Sequence, residues 1–154
     1  MRLLKILLGP AVAVLLGSNV SVAEDKPSPG ATSYMPSLGD MMVAVQLRHS
    51  KLWYAGRTKN WRLAEYELGQ LRSTLNEGAK QHPNMPAANM AATDKSAALV
   101  GEAIKLKDGA KFDIAFGQMT AACNSCHQAA DRDFILIRVP TRGSPFSNQL
   151  FAPY

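Results

Sequence analysis

The chain contains two cysteines, and they lie three positions apart in the stretch CNSCH: Cys123, Asn124, Ser125, Cys126 and His127. A Cys-x-x-Cys-His run is the attachment sequence for c-type haem. The spacing suits that chemistry. Two thiols one helical turn apart can add across two vinyl groups to form thioethers. The histidine that follows rises from the same turn and offers its imidazole to the iron. Three other chemistries fit the spacing less well. A thioredoxin-like dithiol should open a helix within a βαβ pattern, where the helix N-terminus lowers the thiol pKa. Here the pair falls near the end of a helical pattern and no βαβ pattern accompanies it. A structural zinc site needs four ligands, and His127 adjoins Cys126 too closely to share one tetrahedral ion with both thiols. A structural disulfide would close a very small ring.

The N-terminus supplies the compartment. Residues 1–23 carry Arg2 and Lys5, then an apolar run from Ile6 to Leu16, then Ser-Val-Ala. That is the layout of a secretory signal peptide cleaved after Ala23. The run is interrupted by Gly9 and Pro10 and is shorter than the ~20 residues of a membrane-spanning helix. The reading is therefore an exported, periplasmic protein with no stable membrane insertion after cleavage. Losing Arg2 and Lys5 lowers the formal charge from +5 to +3. No basic run is dense enough to mark a nucleic-acid-binding protein.

The elements that must position CNSCH are helical. Residues 24–37 contain Pro27, Pro29, Gly30 and Pro36 and read as a flexible leader. From Leu38 apolar positions alternate at spacings of four and three: Leu38, Met42, Val45, His49, Leu52 and Gly56. This is an amphipathic stripe, with Ser37 as its N-cap. A second stripe follows Asn60: Trp61, Ala64, Leu68, Leu71 and Leu75. Residues 82–92 read as a loop. A third helix is expected from a cap at Thr93 or Asp94, with Ala97, Val100 and Ile104 inward and Leu99, Ala103 and Leu106 beside them. Asp108 caps a fourth, whose stripe is Phe112, Phe116, Met119, Cys123, Cys126 and Ala130. The expected fold is all-α: an antiparallel up-down-up-down four-helix bundle over 38–132, followed by an extended tail, 133–154, that cannot continue the helix past Pro140.

One CNSCH near the end of the last helix of a bundle resembles the class II c-type cytochromes, cytochrome c-prime and its low-spin, methionine-ligated relatives. The resemblance covers roughly 38–132, and the tail from Phe134 departs from it. It implies one covalent haem c, with Cys123 and Cys126 as thioether donors and His127 as proximal iron ligand. The opposite face of the iron decides the function. In an antiparallel bundle the start of the first helix lies beside the end of the fourth, which brings Met42 to the site. A His/Met pair raises the potential and suits electron transfer, and the low-spin relatives point the same way. Met41 is the substitute if the register shifts by one. His49 lies about 10 Å further along the helix, opposite Phe116 or Met119. There it reads as a core histidine, with bis-His ligation as its alternative. Methionine in a core is usually a gap-filler, and that is the plain alternative for Met42. His82, Met85 and Met90 could bind Cu(I) but read more simply as loop. Arg132, Arg138 and Arg142 are candidates to pair with a propionate.

The expected function is a monohaem periplasmic electron carrier, not an enzyme, meeting redox partner proteins transiently. The alternative is a five-coordinate protein that binds gas or peroxide. A haem-bearing subunit or sensor that docks through the tail is a third. A homodimer is implied by the resemblance alone.

Overall fold

The computed structural model describes residues 34–153, so the signal-peptide reading and most of the leader lie outside the described residues. The rest is all-helical: α1 (Leu38–Arg57), α2 (Trp61–Gln81), α3 (Ala87–Lys105) and α4 (Gly109–Ala129). None of these helices is long and apolar enough to cross a membrane.

Three of the four starts are set by side-chain caps. Ser37 Oγ accepts from the Asp40 backbone N–H, Asn60 Oδ1 from Leu63 and Asp108 Oδ1 from Lys111. Each satisfies a donor that the first turn leaves without an intrahelical partner. α3 differs from expectation. It begins at Ala87 behind Pro86, six residues before Thr93, and has no side-chain cap. Thr93 is instead buried within the helix, with its hydroxyl donating to the Asn89 carbonyl. Leu99 and Leu106, expected beside the inward face, are 47% and 61% exposed.

The helix ends are equally defined. Lys59, Lys107 and Asp131 adopt positive φ (60°, 53° and 54°) just past α1, α3 and α4. In each turn the next backbone N–H returns to the helix: Asn60 to Ala55 O, Asp108 to Ala103 O and Arg132 to His127 O. These are Schellman turns built without glycine.

Neighbouring helices run antiparallel. A side chain at Gly78, late in α2, would meet Leu38 and Met41, early in α1. Gly56, late in α1, faces Phe112, early in α4. The most extensive packing is α1 on α2 and α3 on α4; α1 meets α4 far less. The core runs through Leu52, Leu68, Leu71, Val100, Phe112 and Phe116. Trp53 and Trp61, flanking the α1–α2 turn, both pack on Phe112, Trp53 stacked and Trp61 edge-on.

At Gly56 an added Cβ would lie 2.2 Å from the Phe112 ring. That ring is fully buried and cannot step aside. Gly56→Ala is therefore expected to cost about 2 kcal/mol through overpacking, read as a lower midpoint in urea at unchanged slope.

Among the described residues, those after Ala129 hold no helix. They return from the end of α4 towards the far end of α1. Tyr54 Oη donates to the carbonyls of Arg142 and Gly143, and Thr58 Oγ1 to that of Phe151. Phe151 is buried among core residues and packs at a tilt against the rings of Tyr54 and Phe146.

Candidate functional site

At the end of the bundle where α1 begins and α4 finishes lies a cavity of about 800 Å³. Its size falls within the ~300–1,000 Å³ of small-molecule and cofactor sites. Four helices' ends and the returning chain contribute walls. Cys123, Cys126 and His127 enter from α4 and Met42 from α1, so the cysteine pair, the histidine and the candidate distal methionine share one space. Val45, Leu75 and Ile137 make apolar stretches of wall.

The two methionines at the start of α1 part company. Met41 is 6% exposed and lies against Gly78 in the α1–α2 interface. Met42 is half-buried and lines the cavity. The sequence stripe turns Met42 inward to the site; the structure has it lining the cavity and packing against the core, and Met41, its substitute, is the more deeply buried of the two.

Both thiols are free. Burial pushes the Cys123 thiol up to about 11, with Cys126 adding to the shift, and burial raises Cys126 as well. Neither is the acidified thiol of a redox dithiol. Asn124 and Ser125, the residues between them, are both engaged. Asn124 Nδ2 donates to the Ile137 carbonyl at 2.9 Å, and the Ile137 N–H donates back to Asn124 Oδ1 at 2.8 Å. Ser125 Oγ accepts from Asn89 Nδ2 at 3.0 Å, tying α4 to the start of α3.

His127 has one nitrogen committed. Its Nδ1 lies 2.7 Å from the Ile135 carbonyl. A carbonyl oxygen only accepts, so Nδ1 carries the proton and the neutral ring keeps Nε2 bare, free to bind a metal. The Schellman turn at Asp131 makes this contact possible by reversing the chain directly behind His127.

His49 is 3% exposed, and its ring centroid is 4.4 Å from that of Phe116, the level expected from helical rise. Its Nε2 is 2.9 Å from Thr120 Oγ1. The Thr120 hydroxyl donates to the Phe116 carbonyl, so its oxygen accepts and His49 Nε2 carries the proton. Burial pulls the His49 pKa down to about 4. It is a neutral histidine, also bordering the cavity.

The 82–92 segment is more than a connection. His82, Met85 and Met90 all face the cavity. His82 Nε2 and Gln81 Oε1 are buried without a hydrogen-bond partner, so this wall calls for polar occupants: a donor such as water for Gln81 Oε1, which only accepts, and water or, for the Nε2–H tautomer, a carboxylate for His82. Of the three arginines considered for such a group, Arg132 borders the cavity. Arg142 has its backbone beside Tyr54, near the other end of α1. Sequence reasoning passed over Gln81 and Asn124. The orphaned atom of the one and the clamp of the other depend on three-dimensional neighbours. Among the described residues no three His, Cys, Asp or Glu side chains converge as a metal site of their own.

Comparison with protein-family models, with curated proteins and with solved structures finds no match to this chain.

Proposed function

We propose that the chain is a monohaem c-type cytochrome that carries electrons in the periplasm, with haem c held covalently by Cys123 and Cys126 and iron held by His127 and Met42. One observation carries the reading: both thiols of CNSCH, the histidine beside them and a methionine from the opposing helix line a single cavity of about 800 Å³. In this reading the protein resembles the class II c-type cytochromes, as an antiparallel up-down-up-down bundle with an added extended tail.

The residues present fit a haem. A flat cofactor needs an apolar slot, and Val45, Leu75 and Ile137 supply apolar walls. Its carboxylates need polar partners, and His82 Nε2 is a buried atom lacking one. Arg132 adds a cation at the cavity's edge. His127 presents Nε2 because Ile135 occupies Nδ1. Met42 offers a soft thioether, which favours the reduced iron. The group itself supplies one-electron chemistry. The chain orients it, excludes water from it and tunes its potential. No acid-base or nucleophilic constellation beside it argues for an enzyme. Its partners in this reading are redox proteins met transiently.

The test is an optical spectrum of the protein matured in a host that assembles c-type cytochromes, oxidised and reduced, with and without carbon monoxide. The expected result is a covalently bound, low-spin haem, indifferent to carbon monoxide. In Met42→Ala it becomes high-spin and binds carbon monoxide. A wild-type spectrum already high-spin and reactive would remove Met42 from the iron and point to the five-coordinate gas- or peroxide-binding alternative. A protein that matures without haem would sink the reading of CNSCH.

A further inference from the structure

We infer that residues 135–137 of the returning chain form a positioning element for His127, latched by Asn124. The inference rests on the reading of CNSCH as a haem site, and part of its test does not need the haem.

A histidine on the last turn of a helix is poorly constrained by the helix alone. Its ring can rotate about χ2, and a neutral imidazole can place its proton on either nitrogen. Here both freedoms are removed by one acceptor. The Ile135 carbonyl, 2.7 Å from Nδ1, selects the Nδ1–H form and aims Nε2 away from the backbone. Ile135 is exposed and belongs to no helix; its N–H closes a turn onto the Arg132 carbonyl, and the chain beyond it needs a second anchor. Asn124 provides it two residues further on. Its side-chain amide forms a reciprocal pair with the Ile137 N–H and carbonyl, imitating one rung of a β-ladder.

Asn124 lies in the motif itself, between the two cysteines. The same helical turn therefore bears the thioether donors, the iron ligand and the latch for the strand that orients that ligand. The hydrogen bond also has an electronic effect. A ligating imidazole that donates from its second nitrogen is a stronger electron donor to the metal, and it favours the more oxidised state. Two opposing influences then meet at the site: the Met42 thioether favours ferrous iron, and the Ile135 carbonyl, through His127, favours ferric.

The experiment compares wild-type, Asn124→Ala, Asn124→Asp and Phe151→Ala as full mature chains. Asn124→Asp keeps the acceptor for the Ile137 N–H and loses the donor. Phe151→Ala loosens the far attachment of the tail, at the other end of the bundle, and controls for general destabilisation. In haem-free protein, nitrogen-15 NMR of the His127 ring reads the tautomer. The expected result is a single Nδ1–H form in wild-type and Phe151→Ala, a mixture of both forms in Asn124→Ala, and intermediate behaviour in Asn124→Asp. In haem-loaded protein, the midpoint potential should rise in Asn124→Ala, with Phe151→Ala unchanged. An Asn124→Ala protein that keeps the Nδ1–H form alone would overturn the latch, as would an unaltered potential in its haem-loaded form. A chain that takes up no haem but shows the expected tautomer change would overturn the cytochrome reading and leave the latch standing.

Discussion

Arg48→Met is expected to destabilise the fold by about 4 kcal/mol, and the loss should shrink markedly when Glu67 is replaced by leucine in the same chain. Glu67 is 1% exposed, on α2, and Arg48 Nη1 reaches its Oε2 at 2.9 Å from α1. The guanidinium also lies over the Tyr66 ring, 5.7 Å from its centroid. The pair is asymmetric: the arginine side chain keeps 28% of its surface in water and the glutamate 2%. Removing Arg48 strands a desolvated carboxylate, and breaking a buried pair from one side costs about 3–5 kcal/mol. Removing Glu67 alone leaves a cation that can turn to solvent, so Glu67→Leu should cost less than Arg48→Met. Replacing both with apolar residues removes the desolvation penalty with the attraction. Urea unfolding of the two single variants and the double variant forms a cycle whose coupling energy isolates the pair. Equal losses in both single variants, adding without coupling, would refute the asymmetry. The pair matters to the cavity because it joins α1 to α2 between the positions of Met42 and Leu52. Its loss should loosen the wall that carries Met42.

Much of the frame is legible in residue types. Ser37, Asn60 and Asp108 are good capping residues, and each caps a helix. The spacing of four and three marks the buried face of α2 from Ala64 to Leu75 and that of α4 as far as Met119; beyond it Cys123 and Cys126 are half-buried and Ala130 is exposed past the helix end. The failures have physical causes. Pro83, Asn84, Pro86 and Asn89 suggest a loop through residue 92. A proline immediately ahead of a helix is no obstacle to it, and alanine at 87, 88, 91 and 92 propagates α3 from Ala87. A stripe fixes a helical face only to within about one residue, some 100° of rotation. α1 packs far more closely on α2 than on α4, and that preference turns Met41 inward and leaves Met42 to the cavity. α1 and α2 end at Arg57 and Gln81, beside Gly56 and ahead of Pro83 as the sequence suggests, but the left-handed residues of the turns, Lys59, Lys107 and Asp131, stand where a glycine would have signalled them.

The candidate site divides in the same way. Cys123, Cys126, His127 and Met42 could be named from type and spacing, and the fold brings all four to one cavity. The groups that orient them could not. Ile135 acts through a carbonyl, which every residue possesses, and Asn124 acts on the backbone of Ile137, thirteen residues away in sequence. Main-chain partners leave no trace in amino-acid type. His82 has a distinctive type but lies in a stretch without periodicity, and only its buried, unpartnered Nε2 draws it into the site.

Acidification should weaken the fold by about 3 kcal/mol through His49 alone, between about pH 6.5 and pH 4. His49 contributes no charge in the folded protein at neutral pH, because burial lowers its pKa to about 4. In the unfolded chain it titrates near the ordinary 6.5. Above that value both states hold the neutral ring and His49 confers no pH dependence. As pH falls below 6.5 the unfolded state takes up a proton that the folded state refuses, so stability declines by about 1.4 kcal/mol per unit. Near pH 4 the folded state begins to protonate and the slope vanishes. Nothing in the surroundings offsets the cost. The ring is faced by Phe116 and by Thr120, whose oxygen already accepts from Nε2, and no carboxylate among the described residues pairs with it. His49→Gln retains a donor for Thr120 while removing the titration. Its stability should therefore be flatter than wild-type across this window, the two curves differing by about 3 kcal/mol in slope-integrated loss. Carboxylates that titrate near pH 4 contribute equally to both proteins and cancel. Parallel curves for wild-type and His49→Gln would mean that His49 accepts its proton in the folded state as readily as in the unfolded one. That would require the cavity beside it to solvate an imidazolium, a property at odds with its place against Phe116 and with an apolar slot for a flat cofactor.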